Sequence, residues 1–217
     1  MANKITNKLN LVRVVTALFC CLPALAFAHH PMDGVMPETF SQGFLSGIGH
    51  PIIGLDHLAF VIAAGVLAWK LGKPLVLLSG FVLATAVGSL VVSYGASISL
   101  LEPLILLSLA LVGVSLIKQK QVGVKLAMAF YPIAGFMHGS AYGEAIIGAE
   151  ATPIVAYLMG FACIQFAIAY AATQSIKVLS KGPEQTLQYA RITGAVVVGI
   201  ATTYAFEMAE SAIFVVA

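Results

Sequence analysis

The sequence predicts an all-α protein, a polytopic membrane bundle of six transmembrane helices following a cleaved signal peptide. Three observations carry this reading. The chain is 60% hydrophobic and 9% charged, with a mean hydropathy of +0.98. Apolar stretches of about twenty residues recur along it, the length a helix needs to cross a bilayer core at about 1.5 Å per residue. Its ionisable side chains also sort to opposite ends of those stretches.

Residues 1–28 carry the three parts of a secretory signal. Lys4, Lys8 and Arg13 form a basic start, Val14 to Leu22 an apolar middle, and Ala26-Phe27-Ala28 a small-x-small cleavage site. The alternative, a retained first span, asks for a longer apolar run than this one. Cleavage leaves residues 29–217 as a single transmembrane domain, starting at His29-His30-Pro31-Met32-Asp33 outside the cytoplasm. Cys20 and Cys21 leave with the signal, and Cys163 is expected to pack as a small hydrophobe, so there is no disulfide framework.

A polar lead (29–38) precedes a short apolar stretch, Thr39 to Gly49, that stops at His50-Pro51. Proline lacks an N–H and disfavours helix at the residue before it, so a break or kink is expected there. The first full span then runs from Gly54 to Leu71, and five more follow at 73–94, 98–117, 122–147, 153–176 and 188–209. Small residues scattered through them, among them Gly80, Gly88, Ser89, Gly113, Gly135, Gly160, Gly194 and Gly199, suit close packing of helices in lipid.

The eight basic residues after the signal fall in three connectors: Lys70 and Lys73; Lys118, Lys120 and Lys125; Lys177, Lys181 and Arg191. Lysine and arginine favour the cytoplasmic side, so these connectors face inward and both mature termini face outward. The net charge of +2 and the lack of a basic run give no sign of nucleic-acid binding. Nothing resembles a phosphate-binding loop, so the chain shows no ATPase of its own.

With that topology His50, Asp56, His57, Glu102, His138 and Glu144 reach the outward ends of their spans, on four separate segments. Ionisable groups near hydrocarbon cost a few kcal/mol each, so a convergent set reads as a functional site. A single such histidine can merely bond between helices, and Asp56 can merely pair with an imidazole. Glu150, Glu207 and Glu210 reach the same side and are equally readable as members of the set or as solvated helix-end carboxylates, whereas Met32, Met36, Met137, Met159 and Met208 read as packing. His50 and His57, seven apart, would share a face of a continuous helix about two turns apart. Imidazole suits divalent nickel, cobalt, copper or zinc, and carboxylate neutralises the ion's charge. The terminal His29-His30 pair would be able to capture an ion before the pore. Gly49-His50 with Asp56, and Met137-His138 with Glu144, share a spacing on antiparallel spans, as a 3+3 inverted repeat would produce.

The segment Gly49-His50-Pro51-Ile52-Ile53-Gly54-Leu55-Asp56-His57-Leu58 resembles the signature of the HupE/UreJ family of bacterial membrane proteins. His138-Gly139-Ser140-Ala141-Tyr142-Gly143-Glu144 resembles its second motif, and Glu102 its acidic position in the middle of the chain. The resemblance implies a secondary transporter in the bacterial inner membrane that takes up nickel or cobalt, often in association with hydrogenase or urease maturation. It implies His50, Asp56, His57, Glu102, His138 and Glu144 as the metal-binding residues. Nickel or cobalt would be cargo, with no permanent cofactor; the partners are the divalent ion, the lipid bilayer and, as an option, further copies in a homo-oligomer. Members of the family commonly carry a second histidine where Tyr142 stands, so this chain offers fewer nitrogens there. Two other classes use the same residues differently. An intramembrane metal-dependent enzyme would hold the ion permanently with one open position, and a haem subunit would use the histidines as axial ligands, among which carboxylates sit poorly.

Overall fold

A computed structural model describes residues 36–118 and 122–214. The proposed signal peptide, the His29-His30 pair and Lys120 lie outside the described residues. The described residues form seven helices: α1 Phe40–Ile53, α2 Leu55–Lys70, α3 Pro74–Ser93, α4 Leu101–Ile117, α5 Val124–Glu144, α6 Ala151–Leu179 and α7 Pro183–Phe214. Of these, α3, α6 and α7 are long and apolar enough to cross a bilayer alone, and α1 and α2 qualify only as a bent pair.

The break after the first apolar stretch falls at Gly54, not at His50-Pro51. Helix α1 runs through Pro51 to Ile53, and α2 departs from it at an angle of 81°. Packing explains the displacement. Gly43 and Gly47 press α1 so closely on α6 that a Cβ on either would strike the backbone of Pro153 or Tyr157. That face holds the helix past the proline, whose missing donor falls near the helix end. The start of α1 is fixed by a capping box: the Gln42 N–H donates to Thr39 Oγ1 at 3.2 Å, and the Thr39 N–H to Gln42 Oε1 at 3.1 Å. The later elements follow their predicted spans with shifted ends. Helix α4 starts at Leu101, after Leu100 in the left-handed region (φ 61°), and α7 is extended at both ends.

Three closely packed pairs, α3 with α5, α1 with α6 and α4 with α7, surround α2, which meets all six of these helices. Helix α2 is accordingly apolar all round, with Phe60, Val61, Ala63, Ala64 and Leu67 buried. Leu75, Leu83, Leu107, Ile133, Val155 and Val196 are exposed on the outer faces. A protein apolar both inside and outside is one whose solvent is lipid. Cys163, expected to pack inside, sits instead on the exposed side of α6.

Close approach depends on small residues at chosen positions. Gly135, Gly139 and Gly143, one turn apart on α5, lie against the backbone of Phe81, Thr85 and Ser89 on α3. Gly113 and Gly194 do the same for α4 and α7, whereas Gly199 faces open space. The polar groups at these seams are satisfied across them: Ser89 Oγ donates to Gly139 O at 2.7 Å, Thr173 Oγ1 to Gly65 O at 2.9 Å and Tyr131 Oη to Ala64 O at 2.6 Å. A Gly139→Val variant is expected to force α3 and α5 apart, at a cost of about 3 kcal/mol or more. Thermal unfolding in detergent should show it as a clearly lowered midpoint, while Gly199→Val unfolds near wild type.

Candidate metal site

At the end of the bundle where α1 turns into α2, four helix ends enclose a cavity of about 530 Å³. His50 reaches it from the last turn of α1, and Asp56 and His57 from the first turn of α2. Glu102 comes from the first turn of α4 and Glu144 from the last residue of α5. Helix α7 supplies the remaining wall with Tyr204, Glu207, Met208 and Ser211. Gly54 leaves room for these two side chains at the turn, because a Cβ there would lie 2.9 Å from His57 Cδ2 and 3.3 Å from Asp56 Oδ1.

The site is graded in depth. Glu102, Glu144 and Glu207 are exposed at its mouth, His50 and Asp56 are half-buried, and His57 is 8% exposed. His138 is fully buried and does not line the cavity; it stands behind His57. The two rings meet with Nδ1 to Nδ1 at 2.7 Å, and His138 Nε2 lies 2.9 Å from Ser108 Oγ. Phe60, its centroid 4.2 Å away, covers the His138 ring. On the cavity side, His57 Nε2 is 4.0 Å from Asp56 Oδ2. His50 Nδ1 lies 2.8 Å from the Tyr157 hydroxyl, which donates to Tyr142 O at 3.0 Å. The Tyr142 ring sits between the two cavity histidines, its centroid 4.9 Å from His50 and 4.5 Å from His57.

Below Tyr142 lies a second polar group. Thr85 Oγ1 is 2.7 Å from Val82 O and 3.0 Å from Gln165 Oε1, while Gln165 Nε2 and Tyr142 Oη are buried without hydrogen-bond partners among the described residues. Turning the Gln165 amide over satisfies both: Nε2 donates to Thr85, whose own proton goes to Val82, and Oε1 accepts from the adjacent Tyr142 hydroxyl. The Tyr142 ring, in contact with both histidines, is then held at its hydroxyl end as well.

Five of the six residues singled out in the sequence, His50, Asp56, His57, Glu102 and Glu144, thus share one cavity, with the sixth, His138, one hydrogen bond behind it. Among the described residues no three His, Cys, Asp or Glu side chains stand close enough to hold an ion together. Glu207, left by the sequence evenly balanced between a site acid and a solvated helix end, and Met208, read as packing, both line the cavity. Their signal was available: Tyr204, Glu207, Met208 and Ser211 recur at i, i+3, i+4 and i+7, one stripe of a helix.

A family model described as HupE / UreJ protein matches residues 17–204. The chain belongs to that family. Among its HupE/UreJ relatives, Protein HupE of Rhizobium leguminosarum bv. viciae is 29% identical over 124 residues, covering 56% of this chain and 61% of the relative. The match thus spans about three fifths of that relative's length. No solved structure matches the chain.

If the five helices lining the cavity share one mouth, single cysteines at positions 102, 144 and 207, in a variant with its native cysteines replaced by serine, react with a membrane-impermeant thiol reagent from the same side of the membrane. Labelling of any one of them from the opposite side contradicts the cavity.

Proposed function

We propose that this HupE/UreJ protein is a permease that takes up a divalent transition metal, nickel or cobalt, from the periplasmic side of the bacterial inner membrane. The observation that carries the reading is the graded cavity, with carboxylates at its mouth and imidazoles at its depth. Exposed Glu102, Glu144 and Glu207 attract a hydrated cation and concentrate it at the entrance. His50 and His57 then supply borderline nitrogen ligands, which favour a transition metal over magnesium or calcium, and Asp56 neutralises charge beside them. The side chains stand apart as they are, so binding draws the carboxylates and imidazoles together around the ion.

The orientation rests on charge. Lys70, Lys73, Lys118, Lys125, Lys177 and Lys181 lie at or beyond the helix ends opposite the cavity, which the positive-inside rule assigns to the cytoplasm. Six crossings, α2 to α7, then follow, with α1 dipping into the bundle from the periplasmic side and both mature termini periplasmic. A helix broken at the binding site is the device by which transporters expose backbone to a polar cavity. Contacts of α3 with α5 and of α2 with α6 are in keeping with a three-plus-three repeat.

Cells expressing His57→Ala are expected to take up radiolabelled nickel and cobalt at less than about a tenth of the wild-type rate, given the cost of disturbing metal ligation. Wild-type uptake in that variant refutes the site. Metal that stays with the purified protein through chelator washing instead marks a resident ion and an enzyme.

A further inference from the structure

The hydrogen bonds behind the cavity determine which nitrogen each histidine presents. A carbonyl oxygen only accepts, so the Ser108 hydroxyl, 2.7 Å from Ile105 O, spends its single proton there. Ser108 Oγ must then accept from His138 Nε2 at 2.9 Å. His138, fully buried against Phe60 and Phe81, is neutral, because an imidazolium there would have no counter-charge in contact among the described residues. With its proton on Nε2, its Nδ1 carries the lone pair. His57 Nδ1, 2.7 Å away, therefore donates, and the lone pair of His57 lies on Nε2, the nitrogen on the Asp56 side of the ring.

The same logic applies at His50 by a separate route. The Tyr157 hydroxyl gives its one proton to Tyr142 O at 3.0 Å, so its oxygen accepts from His50 Nδ1 at 2.8 Å. The lone pair of His50 is again on Nε2. Two independent chains, each ending on a backbone carbonyl, set both cavity imidazoles in one tautomer. A neutral imidazole binds metal through its lone pair, and the partner of the other nitrogen fixes which one that is.

We propose that Ser108 with His138, and Tyr157, are positioning residues that lock His57 and His50 as Nδ1–H tautomers, so that both offer Nε2 to the ion and His138 is no ligand. The metal half of this rests on the permease reading; the tautomer half does not. It removes His138 from the ligand set that the motif suggests and gives it a role through His57.

The full-length protein labelled with 15N-histidine and examined by NMR without metal tests the locking directly. Wild type is expected to show His50 and His57 protonated at Nδ1. Ser108→Ala should change the His57 signals and leave His50 unchanged, Ser108→Thr should restore them, and Tyr157→Phe should do the converse. A loss of general packing would move both histidines in both variants. Nickel titration by calorimetry should show affinity lowered about tenfold to hundredfold in Ser108→Ala, the usual cost of losing a partner behind a ligand. Protonation of either wild-type histidine at Nε2, or tautomers unmoved by both substitutions, overturns the proposal. If the tautomers are as expected but nickel fails to bind, the locking stands and the permease reading falls.

Discussion

The contact between His57 and His138 ties the site to the bundle. It joins α2 to α5 deep in an apolar interior, where an imidazole without partners costs several kcal/mol. Every nitrogen in that contact must therefore find its complement, and α2, α4 and α5 have to be held at fixed separation for this to happen. The glycine stripe of α5 supplies part of that constraint by seating the helix directly on α3. The alanine-rich, all-round apolar surface of α2 supplies another part, since it lets several helices approach a central one. Packing and polar chemistry are thus one problem here: a helix that drifts leaves a buried histidine unsatisfied.

The turn at Gly54 does the complementary work. On an unbroken helix His50 and His57 would lie along one line. With α2 bent by 81° from α1, they approach the cavity from two axes, and Asp56 enters from the first turn of α2. A carboxylate in that turn is also favoured by the partial positive charge at a helix start. Leu100, two residues before Glu102, is a strained backbone position in the left-handed region that sets the start of α4.

Much of this was legible in the sequence. Hydropathy located the helices from α2 onward, and the segregation of basic residues from His and acidic residues predicted that separate helices deliver their polar groups to one end. Local rules were weaker guides where tertiary contact opposed them. Pro51 signalled a break three residues early, because the glycine face of α1 against α6 is invisible to a rule about one residue and its neighbour. Glu207 stayed evenly balanced because a carboxylate near a helix end has an innocuous explanation, although its stripe with Tyr204, Met208 and Ser211 pointed inward. His138 was found, but its place behind His57 was not. Which side of a cavity wall a histidine occupies depends on helix rotation, and one motif does not specify that.

On the proposed function, two imidazoles and nearby carboxylates form the ion's resting place at this cavity. X-ray absorption on the nickel-loaded protein tests it most directly. A first shell of oxygen and nitrogen ligands is expected, in which two imidazoles give the characteristic outer-shell scattering, reduced to one in His50→Ala. A nickel shell without imidazole, or one unchanged in that variant, contradicts it.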